Sequence, residues 1–181
     1  MSGGSCHDVT NVGNGAMELL PFLILPMLLL IAGYYDVTTM TIPNWISGFL
    51  ILSYFVMAPF FGIAWIDMGM AVLASFLFLM IGMFLFAMKW LGGGDAKLLM
   101  ATALWFGWPA AWAYLVIVMA LGGVVALGLI TFRKYAIPQP VQGVDWVHNL
   151  HKPDGDMPYG TAIALAGLIM LPEVPMMAGL F

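Results

Sequence analysis

The chain has 181 residues, 63% of them hydrophobic and only 8% charged, too few polar side chains to cover a water-soluble globule of this size. Its formal charge of -4 comes with no basic run to bind nucleic acid, and its single cysteine, Cys6, excludes both an intramolecular disulfide and a Cys-x-x-Cys zinc site. What remains is an all-α, polytopic membrane protein, with a polar, Gly-rich tail at 1–16 and one transmembrane domain at 17–181.

Crossing about 30 Å of hydrocarbon takes about 20 apolar residues, and that ruler predicts about six transmembrane helices. They run from Met17 to Tyr35, Trp45 to Phe61, Met68 to Leu91, Ala96 to Gly107, Pro109 to Phe132 and Tyr159 to Leu180. Gly107-Trp108-Pro109 reads as a tight turn that divides one long apolar region in two. No Lys or Arg precedes the first segment, and Tyr34-Tyr35-Asp36 at its end lacks the small residues of a cleavage site, so it is expected to stay in the mature protein. The 16 methionines read as gap-fillers between helices.

Orientation follows from the basic residues. Lys89 and Lys97 flank the junction of segments three and four, and Arg133, Lys134 and Lys152 lie between five and six. Both connections fall on one side of a six-helix bundle, which is therefore expected to be cytoplasmic. Asp8, Glu18, Asp67 and Glu173 fall on the other side with both termini.

Two crossings separate Asp36, at the end of segment one, from Asp95, at the start of segment four, so both carboxylates return to the cytoplasmic face. A carboxylate at a membrane boundary is costly unless solvated, paired or used. Two held close together share a proton, which suits peptide hydrolysis: one takes a proton from water, the other gives one to the carbonyl oxygen. Each also has a plainer reading. Asp95, after Gly92-Gly93-Gly94 and before Ala96-Lys97, looks equally like a helix N-cap. Asp36 is harder to dismiss, because the macrodipole at a helix C-terminus disfavours a negative charge and no basic residue is nearby in sequence. The three glycines, each costing about 1 kcal/mol in a helix interior, read either as a flexible turn or as a place where backbone approaches closely.

The order and spacing of these residues resemble the prepilin peptidases, membrane aspartyl proteases with a Gly-x-Gly-Asp motif. Gly92-Gly93-Gly94-Asp95-Ala96-Lys97-Leu98-Leu99 matches their second motif, Asp36 followed by Ile42-Pro43-Asn44 matches the first, and Met157-Pro158-Tyr159-Gly160 looks like their Pro-Tyr-Gly region. The resemblance implies that 17–181 is a peptidase domain in a bacterial or archaeal inner membrane. It implies cleavage of type IV prepilins and pseudopilins at the cytoplasmic face, ahead of their hydrophobic helix, with Asp36 and Asp95 as the catalytic pair and no metal or cofactor. Gly92, Gly93, Gly94, Pro43, Asn44 and Lys97 are the expected site-shaping residues; Lys97 also reads as a side chain reaching for the interface. Larger members carry a cytoplasmic insertion with two Cys-x-x-Cys pairs and methylate the new N-terminus; this chain has neither the cysteines nor the room, which counts against methyl transfer. Its compactness resembles the short branch serving tight-adherence (Flp-type) pili. Residues 37–41 are uncharged, where many members carry a basic residue.

Other readings stay open. A presenilin-like intramembrane protease shares the aspartate logic, but no Pro-Ala-Leu tripeptide occurs. A non-enzymatic assembly partner or small transporter would use the aspartates to bind a proton or cation. Adjacent Cys6, His7 and Asp8 do not converge as nucleophile and base. His148 and His151, near Asp145, Asp154 and Asp156, read as a polar connection before a metal site.

Overall fold

Apolar runs set the helices of this protein, and prolines and glycines break them. The computed structural model describes residues 8–134, 151 and 157–177, and every regular element among them is helical. Helix α1 spans Asp8–Thr39, α2 Asn44–Phe60, α3 Trp65–Ala87, α4 Gly93–Phe132 and α5 Tyr159–Ile169, followed by 3-10 turns at Leu171–Glu173 and Pro175–Met177. Helix α1 begins within the stretch read from sequence as a polar tail.

Two helices, α3 and α4, are long and apolar enough to cross a membrane; α2, α5 and the part of α1 from Leu23 are shorter apolar helices. The 40-residue α4 is not one rod. Gly107 sits at φ 68°, ψ −179°, outside helical space and in the left-handed half that glycine tolerates, and Pro109 follows without an N–H. Phe106 and Tyr114 stack with ring centroids 4.7 Å apart, whereas eight residues of straight helix rise about 12 Å. The chain therefore folds back at the turn read from Gly107-Trp108-Pro109, and α4 consists of two arms, 93–106 and 108–132.

The last helix departs from expectation. Apolar composition predicts a helix to Leu180, but α5 stops at Ile169. Pro172 and Pro175 lack the N–H that a continuing helix requires, so the backbone tightens into 3-10 turns instead. Eleven residues rise only about 16 Å, about half the hydrocarbon thickness.

Helix α4 is the hub, packing on α2, α3 and α5, while α5 also packs on α1. The core is built around Trp105, Tyr114, Phe78 and Phe106, all fully buried. Each contact with the hub is pinned by one side chain donating to a backbone carbonyl of the neighbouring helix. Ser75 Oγ reaches Met100 O at 2.9 Å, Trp105 Nε1 reaches Leu50 O at 3.0 Å, and Tyr114 OH reaches Ile163 O at 3.2 Å. Where hydrophobic burial between helices is weak because the surroundings are themselves apolar, such bonds and close packing hold a bundle together. Large apolar side chains face outward throughout, among them Trp65, Ile66, Phe60 and Leu127.

Candidate active site

Two buried carboxylates meet at the junction of α1, α4 and α5. Asp36 lies one turn before the end of α1 and is 3% exposed; Asp95 is the third residue of α4 and is 5% exposed. Between them sits Gly160, the second residue of α5. A Cβ there would lie 2.8 Å from Asp36 Cγ and 2.8 Å from Asp95 Oδ1, so those two atoms are at most twice that, 5.6 Å, apart. Residues 36 and 95, distant in sequence, are thus brought together across a single glycine.

Helix N-termini supply the electrostatics. The carboxylate of Asp36 accepts the Thr161 backbone N–H at 2.6 Å and the Thr161 hydroxyl at 3.0 Å, both on Oδ2. Thr161 is in the first turn of α5, whose amides lack intrahelical acceptors and whose dipole favours a negative charge. This answers the difficulty that Asp36 sits at the unfavourable end of its own helix: α5 supplies the donors that α1 cannot. Asp95 is likewise held at a helix start. Its Oδ2 accepts the Gly92 N–H at 3.2 Å, which is the reach-back half of a capping box. The N-cap position belongs to Gly92 and not to Asp95, because the glycine run enters the helix: Gly93 and Gly94 are its first two residues.

The expected site-shaping residues divide by what they touch. Gly94 lets backbone approach, since a Cβ there would be 3.1 to 3.2 Å from the Cβ, N and O of Ile42. The Cδ1 atom of Ile42 in turn reaches within 2.5 Å of the Cβ position of Gly160, so Ile42 wedges beneath the pair. Pro43 precedes α2 in extended conformation, and Asn44 opens that helix. Lys97 is exposed and donates from Nζ to Asn44 Oδ1 at 2.8 Å, joining the starts of α2 and α4; two residues on from Asp95, it points to another side of the helix. Gly93 faces the Phe86 ring. Behind Asp95, Gly82 of α3 admits Ala96, whose Cβ would be 2.8 Å from any Cβ at Gly82.

A cleft of ≈ 900 Å³ opens on the pair, lined by Asp36 and Asp95 together with Met40, Phe86, Lys89, Trp90 and Tyr159. Met40 and Lys89 both hold left-handed φ, 53° and 60°. At Lys89 this closes α3: Trp90 N–H reaches back to Leu85 O at 3.0 Å and Lys89 N–H to Phe86 O at 2.9 Å, the pattern usually built on glycine. The turn delivers Leu91 and Gly92 to the start of α4.

Sequence reasoning did not single out Thr161 as a site residue, and it met Gly160 only as part of a Pro-Tyr-Gly resemblance. The one available signal was that resemblance, since Thr161 lies 125 residues from the carboxylate it holds. His148, Asp145, Asp154, Asp156, Cys6 and His7 lie outside the described residues. His151 is described, with its ring edge-on to Phe132 at 5.3 Å.

A family model described as the type IV leader peptidase family matches residues 23–127, more than half of the chain and a stretch containing both aspartates. The chain belongs to the type IV leader peptidase family. Membership points to a membrane-embedded leader peptidase acting on prepilins, in keeping with the two long apolar helices. Gly160 and Thr161 lie beyond the matched stretch of this family member. Among curated proteins and among solved structures, none matches the chain.

Proposed function

We propose that this protein is a membrane aspartic endopeptidase that removes the leader from type IV prepilins and pseudopilins of the Flp type at the cytoplasmic face, with Asp36 and Asp95 as its catalytic pair. The observation that carries the reading is the convergence of the two carboxylates on the side-chain-free Gly160, at the wall of a cleft large enough for an extended peptide. Family membership supplies the reaction class.

The chemistry needs nothing beyond one proton shared by the pair. The ionised carboxylate removes a proton from a water lying between the two, and the water oxygen attacks the scissile carbonyl carbon. The protonated carboxyl gives its proton to the carbonyl oxygen. Collapse of the tetrahedral intermediate breaks the C–N bond as the amide nitrogen takes up the proton abstracted from water, while one hydroxyl of the intermediate returns its proton to the other carboxylate, re-forming the carbonyl and restoring the shared proton. The pair acts as a unit, so neither aspartate has a fixed part before substrate binds. Donors from Thr161 and Gly92 hold the Oδ2 atoms of Asp36 and Asp95 and so help orient the two carboxylates.

In the six-segment topology read from the sequence, with the arms of α4 as separate segments and the short α5 reaching only part-way across, the cleft shares its face with Lys89, Lys97, Arg133 and Lys134, which the positive-inside rule assigns to the cytoplasm of a bacterial or archaeal inner membrane. The uncharged Val37 to Thr41 stretch offers no basic contact to the substrate. The test is co-expression with an Flp-type prepilin, with the product mass read out and cysteines at 36 and 95 labelled from each side of the membrane. The expected result is a cut ahead of the hydrophobic helix and labelling of both positions from the cytoplasm. A cut inside the hydrophobic helix supports a presenilin-like protease instead, and labelling from opposite sides ends the dyad reading.

A further inference from the structure

Next to the cleft lies a second, apolar groove of ≈ 250 Å³ between α3, the second arm of α4 and α5. Trp90, Leu91 and Tyr159 line both spaces, so they share a wall. Character changes across that wall: the cleft presents Asp36, Asp95 and Lys89, while no charged residue lines the groove. Along α4 the groove is lined by Leu115, Val118, Met119, Gly122, Gly123 and Ala126. Steps of three and four residues place all six on one helical face. Gly122 is buried against the Tyr159 ring, whereas Gly123 is open and keeps the face shallow there, the form that lets another membrane helix approach closely. Met119 is 60% exposed, so the described residues leave the face partly uncovered.

We infer that this groove seats the apolar helix of the substrate, so that a single chain lies extended across the aspartates and turns helical as it passes Trp90 and Tyr159. The inference rests on the leader peptidase reading above and adds where the substrate's membrane segment binds. A membrane-anchored substrate cut at the dyad must carry its apolar segment out of the cleft along an apolar path, and the groove adjoins the cleft through three shared residues. Its volume is too small for a whole helix and suits the anchor side chains of one, the i, i+3, i+4 and i+7 positions by which a groove reads a helix.

The test compares two substrates: full-length prepilin in mixed micelles, and a short peptide that ends a few residues beyond the scissile bond. Nothing lies within 4 Å of a Cβ at Gly123, so the side chain of Gly123→Leu starts in open space on a residue that lines the groove. Gly128→Leu, equally unobstructed on the same arm but off this face, is the control. Gly123→Leu is expected to raise KM for full-length prepilin at least tenfold more than for the short peptide, with Gly128→Leu altering neither. Equal effects on both substrates, or no effect on the full-length one, overturn the inference while leaving the peptidase reading intact. Wild-type protein that cuts neither substrate overturns the peptidase reading and this inference with it.

Discussion

Replacing Gly160 by alanine is the sharpest perturbation this architecture offers, because a single methyl group enters the space between the two carboxylates. The new Cβ would start 2.8 Å from Asp36 Cγ, 2.8 Å from Asp95 Oδ1 and 2.5 Å from Ile42 Cδ1, whereas ordinary contact begins at 3.4 Å. Ile42 Cδ1 ends a flexible side chain and swings aside. The carboxyls cannot yield as readily: Asp36 is bound to Thr161, which moves with residue 160, and Asp95 is bound to Gly92 at the start of its own helix. Each must retreat by roughly half an ångström, and misplacement on the order of 1 Å costs about a hundredfold in rate. Overpacking of a filled site costs about 1–3 kcal/mol of stability. Gly160→Ala is therefore expected to lower kcat about a hundredfold in a purified prepilin cleavage assay while remaining helical by circular dichroism. Cleavage within threefold of wild type, with the fold intact, would show that the spacing at Gly160 does not govern the reaction.

Thr161→Val keeps the backbone donor to Asp36 and removes the hydroxyl; a hydrogen bond to a charged group is worth about 1.5 kcal/mol or more, so kcat should fall about tenfold with KM unchanged, and Thr161→Ser should restore it. Gly82→Val forces α3 away from Ala96 directly behind Asp95 and should cost about 1–3 kcal/mol, measured as a lower unfolding temperature in detergent; an unchanged temperature would mean that the α3–α4 approach is loose. The proposed shared-proton mechanism needs one carboxyl protonated and the other ionised, so the rate should fall at low pH, where both are protonated, and at high pH, where both are ionised. A flat profile of kcat/KM across the carboxylate range contradicts a shared proton.

Much of this structure was legible because membrane helices announce themselves locally. Apolar runs gave the positions of α1 to α3, and Gly107-Trp108-Pro109 marked the reversal within α4, since glycine alone adopts that φ comfortably and proline cannot continue the ladder. Asp36 and Asp95 stood out because charge is scarce in such a chain. The remainder depends on contacts between distant segments. That Asp36 draws its donors from α5, that Ile42 fits against Gly94 and Gly160, and that Lys97 meets Asn44 across 53 residues are facts of packing with no local signature. At the end of α5 two local signals conflict: apolar composition continues to Leu180, but Pro172 and Pro175 cannot supply the N–H groups of a helix, and the backbone chemistry prevails.

The most direct test of the dyad is the set of three variants Asp36→Asn, Asp95→Asn and the double substitution, compared for kcat/KM on one purified prepilin with folding checked. Groups that act as a unit are grossly non-additive. The predicted result is that each single variant loses at least about a thousandfold and that the double variant is no worse. A single variant that keeps activity within tenfold of wild type, or losses that multiply in the double variant, would contradict a shared-proton pair at positions 36 and 95.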